Sequence, residues 1–247
     1  MNKPVCLVTA PVATRSGYGA HARDIVRSLI DLDRFDVKVW NVRWGNTPMN
    51  ALNEQEPRDK IIIDRLLQNP QLPSQPDIHV HVVIPNEFSP IGKYNIGVTA
   101  GLECTAVPPS WLEGMNRMDM NIVPSKFVKN TFENVKFDIQ DEKTGQLKGT
   151  VANNKKIEVL FEGADTKIYK KTKEFSESLV GEMKKVEETF NFLYVGHWLQ
   201  GKLGEDRKDT GMLIKVFLET FKDKKKRPGL ILKTSGAGFS VLDREDI

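Results

Sequence analysis

The chain has 247 residues, a formal net charge of +3 and a hydrophobic fraction of 39%. That length suits one large domain or two smaller ones, and the apolar content is sufficient for a packed core. Because no apolar run reaches the length of a membrane span and no signal-peptide pattern opens the sequence, we expect a cytoplasmic protein without a transmembrane segment. The net charge is too small to indicate nucleic acid as a partner.

The N-terminal region predicts a strand at residues 5–10 and an amphipathic helix at residues 20–32. Between them stands Ser16-Gly17-Tyr18-Gly19, whose glycines would let the backbone approach a ligand with its N–H groups exposed. A tight turn explains two glycines equally well. The stretch lacks the third glycine of a dinucleotide fingerprint and the Lys of a phosphate-binding Walker loop.

Further strands are predicted at residues 35–44, 77–84 and 95–99, with a second helix at 58–67. His79 and His81 alternate with apolar residues in the third strand and therefore share one face. No third ligand stands at a suitable spacing, so we expect imidazoles in the core or in a cleft rather than a metal site. Glu103 follows the fourth strand, at the sheet edge where ligands of parallel sheets bind.

The middle of the chain predicts capped helices and a surface excursion. Ser125 is a suitable N-cap for a helix that begins with Phe127 and Val128. Residues 137–156 are polar and suggest a hairpin, residues 157–161 suggest a strand, and the charged residues 166–188 suggest a linker. The two cysteines, Cys6 and Cys104, predict buried free thiols rather than a disulfide framework.

Residues 190–234 predict a parallel βαβ unit. The first strand, at 190–195, reads as buried on both faces, and the helix begins at Asp209 or Thr210. Arg207 and Lys208 stand directly before that helix. Two cations beside a helix N-terminus suit a phosphate or diphosphate, although an exposed loop with ordinary surface charge fits the same residues.

The motifs in both halves of the chain resemble those of the GT-B glycosyltransferases, particularly the large retaining family 4. The second half matches through a strand that ends in glycine, a basic pair and an amphipathic helix. His197 stands where the family has its first cation, and Arg207 is the nearest replacement. The N-terminal half matches the family's order of glycine, glutamate, proline, tryptophan, aspartate and a final Pro-Ser pair, here Gly101, Glu103, Pro109, Trp111, Asp119, Pro124 and Ser125.

This resemblance implies an α/β fold of GT-B type with two Rossmann-like domains. The N-terminal, acceptor-side domain would span residues 1–171 around a parallel sheet. Residues 172–247 would form the linker and an incomplete donor-binding domain, because the family's later acidic motif does not appear before Ile247. The resemblance therefore predicts a C-terminally truncated form with poor activity.

The resemblance also implies a reaction and its residues. A sugar would pass from a nucleotide-sugar donor to a saccharide, lipid or other acceptor, with retention and without a cofactor or an obligatory metal. Peripheral membrane contact and homo-oligomer formation stay open. A non-catalytic nucleotide- or glycan-binding module and a sugar-nucleotide epimerase are the alternatives. The implied donor-phosphate residues are Gly17, Tyr18, Gly19, Arg207 and Lys208, and the implied catalytic residues are Glu103 and His81.

Overall fold

The computed structural model describes residues 3–140, 144–198, 203–205 and 208–235. The chain divides into two compact units, Met1–Gly163 and Ala164–Ile247. Within the described ranges, no helix is both long and apolar enough to cross a membrane.

The first unit alternates strands and helices along most of its length, as the hydrophobic periodicity predicts. A short 3-10 turn, Pro85–Glu87, follows the third strand. Its elements are β1 Val5–Ala10, α1 Gly17–Asp31, β2 Asp36–Asn41, α2 Pro57–Ile63, β3 Ile78–Val82, β4 Tyr94–Val98, α3 Pro109–Arg117, β5 Met120–Val123, α4 Lys126–Asn134, β6 Lys136–Gln140, β7 Leu147–Ala152 and β8 Lys156–Val159.

Six of these strands form one parallel sheet in the order β2-β1-β3-β4-β5-β8. The first unit is therefore a Rossmann-like α/β domain. From β1 the chain steps outward to β2 and then returns to β3 on the other side of β1. The strand order thus reverses between β1 and β3, and open parallel sheets bind ligands outside the carboxyl ends of the strands at such a point.

The core of this unit lies in two clusters of buried side chains. Alternate residues of a strand point to opposite faces, so Val80 and Val82 of β3 join the first cluster with Val26 of α1. The second cluster gathers Phe88, α3, α4 and β8 around Met115 and Phe132, which are fully buried.

The predicted surface excursion is an antiparallel hairpin of β6 and β7. Phe137 and Val151 are paired across the hairpin and pack against the second cluster. Leu147 is 62% exposed. One face of the hairpin is therefore attached to the domain, while its sheet stays separate from the central one.

The second unit contains α5 Glu177–Met183, β9 Asn191–His197, α6 Thr210–Phe221 and β10 Gly229–Ser235. β9 and β10 pair in parallel, and α6 begins at Thr210 as predicted. Phe192 contacts Phe217 and Phe221 of α6, with ring centroids 6.1 and 6.0 Å apart. This contact holds the helix on one face of the strand pair.

The prediction that β9 is buried on both faces is wrong. Leu193 and Val195 are 66% and 63% exposed. An apolar run alone does not say how many layers cover a strand, and among the described residues of this unit α6 packs on the opposite face of β9.

The two thiols are free but differ in their surroundings. Cys6 lies in the first core cluster, and burial raises the pKa of its thiol to about 12. Cys104 is exposed, which corrects the prediction of two buried thiols. It follows Glu103 in the loop after β4, and this loop is outside the packed sheet.

Candidate functional site

A cavity of about 410 Å³ opens at the carboxyl ends of β4 and β5. We call it the edge cavity, and we call residues 100–103, which form one of its walls, the cavity loop. The start of α4 forms the opposite wall. Ligand pockets in proteins commonly have volumes of roughly 300–1,000 Å³, so the space is sufficient for a small ligand. Its lining residues are Ala100, Gly101, Leu102, Glu103, Pro124, Ser125, Phe127 and Val128.

Gly101 shapes the wall of the edge cavity. Its φ of +74° lies in the left-handed region that favours glycine. A Cβ at this position would stand 2.3 Å from Cγ1 of Val128. The glycine therefore permits both the turn of the cavity loop and its close packing on α4.

Glu103 places a carboxylate in this wall. The side chain is exposed, and in the described part of the chain it makes no hydrogen bond or ion pair. Ser125, on the facing wall, accepts a hydrogen bond from the Val128 N–H at 3.2 Å and caps α4, as predicted. Glu103 can therefore accept a hydrogen bond from a ligand hydroxyl, whereas the Ser125 oxygen already serves the helix.

His81 lies near the carboxyl end of β3 with 8% of its surface exposed. Its Nδ1 accepts a hydrogen bond from the Ser89 N–H at 3.1 Å, which leaves the proton of the neutral ring on Nε2. Burial lowers the pKa of His81 to about 4. The imidazole is therefore neutral at pH 7 and can donate a hydrogen bond through Nε2.

The segment that orients His81 is itself held by α3. Arg117 donates from Nε to the Phe88 carbonyl at 2.9 Å and from Nη2 to the Asn86 carbonyl at 2.8 Å. The ring of Phe88 lies 6.0 Å from that of His81. These contacts fix the backbone that leads to the Ser89 N–H and thereby the tautomer of His81.

His79 shares this face of β3, as predicted, with its ring centroid 5.2 Å from that of His81. It is 1% exposed, and its Nε2 lies 2.9 Å from Oγ1 of Thr9 on β1. Burial lowers its pKa to about 4. Within the described residues, no group of three or more His, Cys, Asp or Glu side chains could hold a metal ion.

The glycine-containing stretch differs from the loop that its sequence suggests. α1 begins at Gly17, three residues earlier than predicted, because Ser16 caps it by accepting from the Gly19 N–H at 2.9 Å. Gly17 is exposed. Gly19 is buried, and a Cβ on it would stand 2.4 Å from the carbonyl oxygen of Thr14. Gly19 thus serves packing rather than an exposed loop.

Tyr18 reaches from the first turn of α1 to the end of β4. Its hydroxyl lies 2.9 Å from Oγ1 of Thr99 and accepts the Ala100 N–H at 3.0 Å. Its ring stacks on Trp44 at 4.0 Å. Burial raises the pKa of the phenol, so the hydroxyl keeps its proton at neutral pH. No sequence spacing signals this link, because 81 residues separate Tyr18 from Thr99.

The cations that the sequence assigns to the donor belong to the second unit. Lys208 is exposed two residues before α6. Asp209, at the N-cap, has a φ of +54°, and the buried Thr210 lies 2.8 Å from the Tyr194 hydroxyl through its Oγ1. Arg207 lies outside the described residues. Tyr18 and the cavity loop are therefore in contact within the first unit, whereas Lys208 belongs to the second unit.

Comparison of the sequence with protein-family models and with curated proteins gives no match.

Proposed function

We propose that the chain is a GT-B glycosyltransferase of family 4 type, which transfers a sugar from a nucleotide-sugar donor to an acceptor hydroxyl with retention. The observation that carries the proposal is the edge cavity. Gly101 and Glu103 are more than 20 residues from Pro124 and Ser125 in sequence, yet all four line it. These four residues belong to the series by which the sequence resembles the family.

The chemistry of the edge cavity suits an acceptor hydroxyl. That hydroxyl would donate its hydrogen bond to the Glu103 carboxylate, which the cavity loop holds at the wall. His81 is not among the lining residues of the edge cavity, and in this proposal its neutral ring would donate from Nε2 to an oxygen of substrates that extend beyond the cavity. The sugar's anomeric carbon would exchange its bond to the diphosphate oxygen for a bond to the acceptor oxygen, and the acceptor's proton would leave with the diphosphate or pass to Glu103.

The donor side of the proposal rests on the second unit. Negative charge develops on the diphosphate as it leaves, and cations at a helix N-terminus stabilise that charge. Lys208 stands two residues before α6, the twelve-residue helix that connects the parallel strands β9 and β10. We assign Lys208 and Arg207 to the diphosphate on this basis, with no obligatory metal.

The test is turnover. Purified protein is incubated with a panel of uridine, guanosine and adenosine diphosphate sugars and simple sugar acceptors, and nucleoside diphosphate release and the glycosylated product are measured. We expect slow transfer with one donor, because the resemblance predicts poor activity for this chain. We expect Glu103→Gln to lower that kcat further by roughly 10²–10⁴-fold, the usual contribution of a positioned acid–base group.

Glu113→Gln is the matched control, because Glu113 is an exposed glutamate on α3 outside the lining of the edge cavity. It should leave kcat unchanged. Nucleotide binding without turnover would instead indicate a binding module, and conversion of the donor sugar without an acceptor would indicate an epimerase. Equal loss of activity in both variants would remove Glu103 from the reaction.

A further inference from the structure

We propose that Tyr18 is a positioning residue for Glu103, acting through the backbone of the cavity loop rather than as a ligand of the donor phosphate. The inference rests on the proposed function for its kinetic part. Its structural part concerns contacts within the first unit alone.

The Tyr18 hydroxyl already has protein partners on both sides. The Ala100 N–H donates to it at 3.0 Å, and Oγ1 of Thr99 lies 2.9 Å away. The same Thr99 oxygen accepts the Gly101 N–H at 3.3 Å. One phenol therefore organises two successive backbone N–H groups at the point where β4 becomes the cavity loop.

The position of Tyr18 makes this contact a link across the sheet edge. Tyr18 belongs to the helix that follows β1, whereas Thr99 and Ala100 follow β4, and β3 lies between these strands. The phenol thus spans the carboxyl edge beside the β1–β3 reversal. Trp44, which follows β2, stacks on the ring and holds it in place.

The effect of this link reaches Glu103 through three residues of backbone. Ala100 and Gly101 line the edge cavity together with Glu103. Gly101 packs against Val128 in a left-handed conformation, so one side of the cavity loop is fixed by α4. The Tyr18 hydroxyl fixes the other side, and catalytic groups need such support to stay within about 0.5 Å of their working geometry.

Tyr18→Phe removes the hydroxyl and keeps the ring on Trp44. In an active protein we expect kcat to fall roughly five- to tenfold, the scale of one lost hydrogen bond, with the donor KM unchanged. In the Glu103→Gln background the same substitution should cause no further loss, because a residue that acts through Glu103 has nothing left to position. Tyr94→Phe, at an exposed tyrosine that begins β4, is the control.

Equal losses in both backgrounds would overturn the proposal, and a raised donor KM with unchanged kcat would make Tyr18 a donor ligand. Amide hydrogen exchange separates this proposal from the proposed function. Tyr18→Phe, but not Tyr94→Phe, should speed exchange at Ala100 and Gly101 about tenfold or more, whether or not sugar transfer is detected. Unchanged exchange at both amides would overturn the proposal even in an active enzyme.

Discussion

At the residue scale, Gly17 and Gly19 lie two residues apart in the first turn of α1 and have opposite surroundings. A Cβ on Gly19 would meet the Thr14 carbonyl oxygen at 2.4 Å and the Pro11 carbonyl oxygen at 2.9 Å. A Cβ on Gly17 would meet no heavy atom of the described chain within 4 Å. Substitutions at these two positions therefore distinguish the effect of close packing from the effect of losing a glycine in the helix.

We predict that Gly19→Ala lowers the free energy of unfolding by about 1–3 kcal/mol, because backbone atoms of the segment after β1 would have to move. The larger Gly19→Val should be worse. The sequence predicts a loop with exposed backbone at this position, whereas Gly19 is buried in the first turn of α1. Urea unfolding followed by circular dichroism measures the change.

Gly17→Ala is the control for that experiment. Its φ is not in the left-handed region and its side is open, so alanine should be neutral or stabilise α1 by up to about 1 kcal/mol. Equal changes in the free energy of unfolding for both substitutions would show that the close contact at Gly19 does not determine the effect.

At the element scale, β3 carries two buried imidazoles that bind protons less readily than in the unfolded chain. Burial lowers the pKa of His79 and of His81 from 6.5 to about 4. Between these values the unfolded state binds more protons than the folded state, so stability is full above pH 6.5 and falls as the pH is lowered towards 4.

We predict that each imidazole contributes a loss of up to about 3 kcal/mol over this window. Unfolding free energies measured from pH 7 to pH 4 test it. In His79→Gln combined with His81→Gln the dependence between pH 6.5 and 4 should flatten, with each single variant intermediate. A slope that survives in the double variant would place the responsible groups elsewhere.

The elements differ in how well local sequence predicts them. β1 occupies residues 5–10 as predicted, because its apolar run is bounded by residues that do not continue a strand. α1 begins early because the Ser16 cap reaches the Gly19 N–H, a contact that hydrophobic periodicity does not contain. β9 has the same kind of apolar run as a strand that is buried on both faces. Whether another layer covers its second face depends on tertiary packing, which the local sequence does not show.

The candidate site shows the same division. Glu103 and Ser125 could be singled out because one follows a strand and the other precedes a helix. The contact of Tyr18 with Ala100 could not, because it depends on β1 and β4 being separated by a single strand of the sheet. The sequence shows which residues stand at the ends of strands and helices, whereas the strand order of the folded sheet decides which of them come into contact.

At the scale of the whole molecule, the two units differ in how they bury apolar surface. Every buried hydrophobic side chain of the described residues lies between Cys6 and Ile157. Among the described residues of the second unit, only Thr210 is buried. Phe190, Leu193 and Val195 are exposed.

We predict that a protein ending at Gly163 folds cooperatively, whereas residues 164–247 alone show no cooperative thermal transition. Two core clusters and a six-stranded sheet support the first unit, and burial of apolar area is the main stabilising contribution to a fold. Calorimetry of the two fragments tests this. A cooperative transition in residues 164–247 would contradict it.

The contrast between the two thiols gives the molecule its own site-specific labelling handle. A maleimide or iodoacetamide probe reacts with thiolate, which Cys6 barely forms with its pKa near 12 inside the core, whereas Cys104 is exposed beside Glu103. A fluorophore can therefore be attached directly after the cavity loop, next to Glu103, without replacing any residue. Its emission would report ligand occupancy directly, so a library of donors and acceptors could be screened by binding before any product is known.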